Sequence, residues 1–234
     1  MVKQWLFRLA KSRGMGKAVG CAFRLCPWAI PGKKLYCSKQ ILAMEHPRPV
    51  YPHHVIISPR KHIADLMTLG QEKNGIYGTE LWKAVTHLAG QYAAYHGGFT
   101  LVANGGTRQE VGQVHFHLFT GQELVNDAVQ EMQEAGEYSS DLIRVYRPSK
   151  PEYDLHLLLL PNIQSRGLGQ TMLTGELLAA ALQTLPALAA AQPLAENGYS
   201  LICQHRQGND LQQPTFHLIS GKRKSTAEST TCYP

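Results

Sequence analysis

Polar and apolar residues alternate from Gln113 to Leu118, within the stretch GQVHFHLFTG. A period of two is typical of a β-strand, so Gln113, His115 and His117 share one face of the predicted strand. The opposite face is apolar and carries Val114, Phe116 and Leu118. A strand with one apolar face and one face of amide and imidazole groups predicts either the wall of a site or an unusual core.

The pattern around this strand occurs twice in the chain. GFTLVAN resembles GYSLICQ and VHFHLFTG resembles PTFHLISG, and the members of both pairs lie 100 residues apart, as Gly98 and Gly198 do. HHVIISP and LHLLLLP form a third matching pair, in which His54 corresponds to His156. Three matches in one order, with nearly constant spacing, indicate an internal duplication.

Each half is predicted to contain a first strand, a proline-rich turn, a near-continuous apolar strand, a helix and two closing strands. The predicted first strands are 40–45 and 142–147, and the predicted apolar strands are 55–58 and 157–160. The predicted helices are 79–95 and 175–185. Pro186 is predicted to end or kink the second helix, since proline lacks the N–H that a helix interior needs. The connection 123–140 is predicted to be helical and then polar.

These elements predict an α+β fold in which two similar halves of antiparallel sheet and helices form an intramolecular pseudo-dimer. Two similar halves can cover each other's sheet edges. The predicted segments are a basic amphipathic N-terminal segment (1–34), a half that carries the site (35–125), a linker (126–140), a degenerate half (141–221) and a flexible tail (222–234).

Composition narrows the class of protein. The chain has 234 residues, 44% of them hydrophobic, which suffices for a sizeable core, and a net charge of +6 favours a partner that carries phosphate. Five cysteines without a CxxC motif argue against a disulfide framework or a structural zinc site. These cysteines favour a reducing cytoplasm. No apolar run approaches the roughly 20 residues that a membrane-spanning helix needs.

The N-terminus allows two interpretations. Val2, Trp5 and Leu9 lie on one helical stripe, interrupted by basic residues. The segment is either a short helix packed on the domain or an interfacial helix, which would give residues 1–13 peripheral contact with an anionic membrane.

The residues from Gln113 to Phe119 resemble the histidine-triad superfamily motif His-φ-His-φ-His-φ-φ, where φ is apolar, with Gln113 in the place of the first histidine. The upstream stretch from Leu42 to Leu69 is similar to the family's strand, turn and histidine-bearing segment. Asn104, with Gly105 and Gln109 after it, is similar to the family's phosphate-contacting loop.

The resemblance implies nucleotidyl chemistry with one covalent intermediate. His115 would attack the α-phosphorus of a nucleoside phosphate or phosphoramidate, and water or another acceptor would resolve the nucleotidyl-histidine. His117 would bond a phosphate oxygen. Gln113 cannot ionise, so the proton for the leaving group would come from His54 or His117. The chemistry requires neither metal nor cofactor.

The same resemblance implies the substrate contacts. Asn104, Gly105 and Gln109 would hold phosphate, while His46, with Glu45 beside it, stands where the family has a ribose-binding carboxylate. In the second half, Thr215 and Gln204 stand where His115 and Asn104 stand in the first. One site per chain is therefore expected, as in the tandem galactose-1-phosphate uridylyltransferases, which the chain also resembles.

Two functions remain open from the sequence. The first is a nucleotidyl hydrolase or transferase. The second is a non-catalytic module that binds a nucleotide or phosphate ester, either in solution or at a membrane surface. No nucleic-acid partner is expected, and the pseudo-dimer is either a monomer or pairs again. His115 could instead be a structural strand histidine, or bind a metal with His117 and His54. The Gly105-Gly106 pair could be a hairpin turn or a phosphate cradle. His62, His87 and His96 are expected to be ordinary surface or helix residues.

Overall fold

The computed structural model of the chain describes residues 32–72, 75–125, 132–135, 141–162, 174–192, 194–206 and 215–224. These residues include ten β-strands: β1 (Lys34–Cys37), β2 (Ile41–Glu45), β3 (Val55–Pro59), β4 (Gly98–Gly105), β5 (Phe116–Phe119), β6 (Met132–Glu134), β7 (Ile143–Pro148), β8 (Tyr153–Pro161), β9 (Tyr199–Arg206) and β10 (Phe216–Arg223). The described α-helices are α1 (Leu66–Gln71), α2 (Ile76–Gln91), α3 (Thr174–Ala191) and α4 (Leu194–Asn197), and two 3₁₀ turns cover Ala93–Tyr95 and Gly106–Arg108.

All ten described strands form one antiparallel sheet in the order β1-β2-β3-β5-β4-β9-β10-β8-β7-β6. Strands β1 to β5 fill one side of the sheet, and β6 to β10 fill the other in the mirrored order. The prediction of an α+β fold with two halves arranged as a pseudo-dimer is confirmed.

The halves meet where β4 pairs with β9, and the register of this pair follows the repeat. Val102 pairs with Ile202, and Asn104 pairs with Ser200. Because the repeat offset is 100 residues, Val102 faces its own counterpart. This register is the one that a local two-fold axis through the Val102–Ile202 pair requires, and it leaves neither β4 nor β9 as an open edge.

The main hydrophobic core lies between one face of the sheet and the helices. It joins both halves in one cluster, because alternate strand residues from each half point to this face. Leu81, Val85 and Leu88 form the predicted apolar stripe of α2 and are all buried. Their counterparts on α3, Leu178 and Leu185, are fully buried as well.

The second helix is longer than predicted, because α3 continues through Pro186 to Ala191. Proline at position 186 removes the hydrogen bond to the carbonyl four residues earlier, that of Leu182. This carbonyl lies against Gly70 of α1: a Cβ added to Gly70 would stand 2.1 Å from the Leu182 oxygen. The carbonyl that Pro186 leaves without its helical hydrogen bond therefore lies where α3 packs closely against α1.

Other predicted bounds also shift. Helix α2 begins three residues earlier than predicted and ends at Gln91, β8 is longer at its N-terminal end, and β1 was not predicted. Met132–Glu134 of the predicted helical linker is a strand, and β10 continues to Arg223, inside the predicted tail. The N-terminal segment proposed for membrane contact lies outside the described residues. Within the described part of the chain, no helix has the length and apolarity needed to cross a bilayer.

Candidate active site

The candidate site is a row of polar side chains on the face of the sheet opposite the helices. Backbone pairing places His46 beside His54, since the N–H of His46 donates to the carbonyl of His54. On β5, His117 pairs with Val102 and Phe116 with Ala103, so the next step in register brings His115 opposite Asn104. The row therefore crosses β2, β3, β5 and β4, adjacent strands of one sheet.

His54 and His117 form a hydrogen-bonded pair in the middle of the row. The Val50 N–H donates to Nδ1 of His54 over 3.4 Å. A neutral imidazole that accepts at Nδ1 carries its proton on Nε2, so His54 donates from Nε2 to Nδ1 of His117, 2.9 Å away. The proton of His117 is thereby left on Nε2, where it can be donated to a ligand.

His115 has the opposite tautomer. Its Nδ1 lies 2.8 Å from the backbone carbonyl of Gln113, and a carbonyl oxygen only accepts, so Nδ1 carries the proton. Nε2 of His115 consequently has a free lone pair. The side chain is only partly buried, and its ring meets that of His117 edge-on at 4.8 Å between centroids.

Burial keeps these imidazoles neutral. Burial first, and then the neighbouring histidines, lower the pKa of His54 to about 4 and that of His117 to about 2. Burial also lowers the pKa of His115 and of His46 below the usual value. At neutral pH the lone pair on Nε2 of His115 is therefore not protonated.

His46 ends the row with its ring stacked on His54, 4.1 Å between centroids and 8° between planes. Its Nδ1 accepts from the Arg48 N–H over 3.0 Å, which leaves Nε2 as the protonated nitrogen. With its proton on Nε2, the ring of His46 has one donor nitrogen, whereas a carboxylate has only acceptors.

Asn104 and Gly105 occupy the other end of the row. The side-chain oxygen of Asn104 accepts from the Ser200 hydroxyl over 2.7 Å. Gly105 is the last residue of β4 and not part of a hairpin turn: a Cβ there would stand 2.1 Å from Cζ of Tyr199. The following turn begins at Gly106, whose φ of 59° favours glycine.

The side chain of Gln113 does not enter the row. It is 1% exposed, and its amide nitrogen donates to the carbonyls of Pro59 and Lys61. Its amide oxygen accepts from the Ile63 N–H and lies 2.9 Å from Nδ1 of His62. His62, expected to be an ordinary surface or helix residue, helps to fix this amide. In the sequence, only its closeness to the strand that ends at Pro59 suggests a role.

Glu45 and Gln109 are not brought to the histidines either. Strand alternation puts Glu45 on the helix side of the sheet, because Ala43 two residues earlier lies in the main core. The amide nitrogen of Gln109 donates to the carbonyls of Ala64 and Val111, so it braces the loop from within. The predicted substrate contacts of these two side chains do not fit these positions.

One cluster of described residues has a geometry that a metal ion could use. His46, His54 and His117 each place a ring nitrogen within 4.8 Å of the others. This set differs from the predicted one, in which His115 was a ligand. A metal ion that used Nε2 of His54 and Nδ1 of His117 would have to displace the hydrogen bond between them.

The second half repeats part of the row, with a threonine at the position of His115. His156 and His217 repeat the ring-to-ring hydrogen bond at 3.0 Å, and Thr215 stands where His115 stands in the first half. Gln204, the counterpart of Asn104, binds the backbone of the chain that leaves the first half: its oxygen accepts from Val125 N–H and its nitrogen donates to the Val125 carbonyl. The side-chain amide of Gln204 is therefore engaged by this backbone.

Sequence comparison assigns the first half to a known family. Residues 29–124 match the model of the HIT (histidine-triad) domain. An uncharacterized HIT-like protein of Buchnera aphidicola is 29% identical over 97 residues, which cover 41% of this chain and 86% of that protein. An uncharacterized HIT-like protein of Rickettsia prowazekii is 24% identical over 98 residues, covering 41% and 82%.

Solved structures resemble the chain over nearly its whole length. An ADP-glucose phosphorylase from Arabidopsis thaliana with bound ADP-glucose has a TM-score of 0.56 at 9% identity, over 88% of this chain and 82% of that one. A uridylyltransferase mutant has a TM-score of 0.51 at 14% identity, over 87% and 85%. At these identities the likeness concerns the fold alone, and it includes both halves. The chain thus matches the HIT domain over residues 29–124, and a second half of similar architecture completes the sheet of the described residues.

Proposed function

We propose that the protein is a nucleotidyl hydrolase or transferase that works through a covalent intermediate on His115. The observation that carries this proposal is the hydrogen bond from Nδ1 of His115 to the Gln113 carbonyl. It fixes the tautomer with a lone pair on Nε2, and the lowered pKa keeps that lone pair free at neutral pH.

In the first step, Nε2 of His115 attacks the α-phosphorus of the substrate. An N–P bond forms, the bond from phosphorus to the leaving group breaks, and the leaving group departs with the bonding electron pair. Positive charge develops on the imidazole, and the Gln113 carbonyl stabilises it through Nδ1–H. In the second step, water or another acceptor attacks phosphorus, the N–P bond breaks, and the nucleophile's proton passes to solvent.

Two groups of the row are suited to the phosphate oxygens. His117 presents Nε2–H because Nδ1 accepts from His54, and Asn104 presents its amide nitrogen because its oxygen accepts from Ser200. Both are neutral donors that are oriented before substrate binds, and such donors stabilise the negative charge that develops at phosphorus. In this proposal His117 also gives the leaving group its hydrogen bond, since Gln113 is turned away.

The proposed substrate class is a nucleoside phosphate or a related phosphate ester. Two proteins of similar fold are an ADP-glucose phosphorylase with bound ADP-glucose and a yeast Ap4A phosphorylase in complex with AMP. The net charge of +6 suits an anionic ligand. His46 stands where the family has a ribose-binding carboxylate, and it offers a single donor. We therefore expect this protein to discriminate less well between ribose and other polyols than a protein with the carboxylate.

Trapping the intermediate tests the proposal. The wild-type protein is mixed with an AMP phosphoramidate or a dinucleoside polyphosphate labelled at the α-phosphate, quenched in alkali and analysed by intact mass. We expect a nucleotidyl adduct that maps to His115 and is absent from His115→Ala. His117→Ala should slow turnover by about 10²-fold or more, whereas its counterpart His217→Ala should turn over at the wild-type rate.

Turnover by His115→Ala at the wild-type rate would refute the covalent role. Binding of AMP in calorimetry, without label transfer or product from any of these substrates, would instead identify a non-catalytic binding module.

A further inference from the structure

We infer that Ser200, on the second half, is a positioning residue for the site in the first half. This inference rests on the proposed function, and it assigns the degenerate half a part in the chemistry. Ser200 pairs with Asn104 across the β4–β9 junction, and its hydroxyl donates to the Asn104 side-chain oxygen at 2.7 Å.

The direction of this hydrogen bond follows from Arg108. A guanidinium group only donates, so Nη1 of Arg108, 3.1 Å from the Ser200 oxygen, uses that oxygen as an acceptor. The single hydroxyl hydrogen of Ser200 is then directed at Asn104, which must present its oxygen. The amide of Asn104 is thereby held in one of its two orientations, with the nitrogen as the outward end.

Arg108, Ser200 and Asn104 form a relay in which each group donates a hydrogen bond to the next. Positive charge on Arg108 polarises the Ser200 hydroxyl, which polarises the Asn104 amide, so the amide nitrogen becomes a better donor toward an anion. Nη2 of Arg108 donates to the Gly221 carbonyl at 2.6 Å, which holds the guanidinium in place. No described residue accepts a hydrogen bond from the Asn104 amide nitrogen, which therefore remains available to a phosphate oxygen.

Two features of the β4–β9 junction favour the contact between Ser200 and Asn104. Ser200 is 5% exposed, so its hydroxyl has little access to water as an alternative acceptor. Gly198 has a φ of 67°, and a Cβ there would stand 2.7 Å from Cγ of Arg108. Glycine at this position therefore lets the arginine lie close to β9. Thr100, the repeat counterpart of Ser200, donates instead to the carbonyl of Gln122, so the described residues do not repeat this relay at Thr100.

Kinetics on the full chain tests the inference. Ser200→Ala should lower kcat about tenfold or more with a smaller change in KM, because the oriented donor acts most strongly on the charge of the transition state. Ser200→Thr, which keeps the hydroxyl, should restore most of the rate. Thr100→Val removes the matched hydroxyl of the first half and should leave kcat within twofold of the wild type.

A double-mutant cycle separates positioning from a general structural effect. Ser200→Ala should have no further effect in an Asn104→Ala background, since Ser200 acts only through that amide. A kcat for Ser200→Ala within twofold of the wild type, or an equal loss in both backgrounds, would overturn the inference.

Nuclear magnetic resonance distinguishes failure of this inference from failure of the proposed function. The side-chain amide signals of Asn104 are identified by their absence from Asn104→Asp. They should move in Ser200→Ala and stay in place in Thr100→Val, whether or not any nucleotide is turned over. Unchanged Asn104 signals in Ser200→Ala would overturn the inference even for a protein without catalytic activity.

Discussion

At the scale of single residues, the direction of hydrogen bonds sets the chemistry of the site. His115 and His117 lie two residues apart on one strand, yet carry their protons on different nitrogens. His115 donates from Nδ1 to a carbonyl, whereas His117 accepts at Nδ1 from His54. One ring therefore offers a lone pair and the other a proton, and the proposed reaction uses the lone pair to attack phosphorus and the N–H to bind a phosphate oxygen.

The neutral histidines make the stability of the fold depend on pH. The pKa of His54 falls to about 4 and that of His117 to about 2, while an unfolded histidine titrates near 6.5. Below pH 6.5 the unfolded chain binds protons that the folded site does not, so the free energy of unfolding falls as pH is lowered from 6.5 toward 4. Each histidine contributes up to about 1.4 kcal/mol per pH unit.

Urea unfolding between pH 7.5 and 5 measures this slope. His117→Asn should reduce the slope by up to the contribution of one histidine, and His96→Asn, which changes an exposed ring, should leave it unaltered. Stability that is constant or that rises as pH is lowered through this window would contradict the assignment of neutral imidazoles.

At the scale of elements, the helices pack closely because glycine stands at their contacts. In α2, a Cβ on Gly78 would stand 2.5 Å from the Cα and N atoms of Ala179 on α3, whereas nothing lies within 4 Å of a Cβ on Gly90. The two glycines of this helix thus have different structural roles. Gly78 permits contact between α2 and α3, and Gly90 only adds conformational entropy to the unfolded chain.

Alanine substitutions at the two glycines should have opposite effects. Gly78→Ala should lower the free energy of unfolding by about 1–3 kcal/mol, because the backbone of α3 cannot yield as a flexible side chain would. Gly90→Ala should raise it by up to about 1 kcal/mol through helix propensity. Thermal unfolding followed by circular dichroism measures both. A destabilisation of equal size in the two variants would disprove the close-contact argument.

At the scale of the whole molecule, the two halves share one core. Trp82 of α2 and Phe216 of β10 belong to different halves, yet their rings meet edge to face at 6.5 Å between centroids. Both are buried in the same cluster. Together with the pairing of β4 and β9, this contact predicts that the two halves unfold in one cooperative transition.

Fluorescence can report this cooperativity from one half. With Trp5 and Trp28 replaced by Phe, Trp82 is the remaining tryptophan. Its fluorescence and the far-ultraviolet circular dichroism should change at the same urea concentration. Phe216→Ala, although located in the other half, should shift both midpoints together through a loss of about 3–5 kcal/mol. Separate midpoints for the two signals would show that the halves unfold independently.

The positions of many strands and helices were predictable from local sequence pattern. The alternation around His115, the apolar strand from Val55 and the stripe on α2 are set by residues close in sequence, which is why their positions agree with prediction. Pro186 does not end α3, because a missing helical hydrogen bond can be tolerated where a neighbouring element packs against the helix. That neighbour, Gly70, lies more than 100 residues away in the chain.

The sequence by itself determined the strand with two histidines on one face, the duplication at an offset of 100 residues and the family of the first half. These follow from the spacing and the type of residues close together in the sequence. The tertiary structure alone decided which polar atoms meet. It turned the Gln113 amide away from the row, placed Glu45 on the opposite face and brought Ser200 to Asn104. Such contacts depend on strand register and on the pairing of distant segments, which a single sequence does not fix.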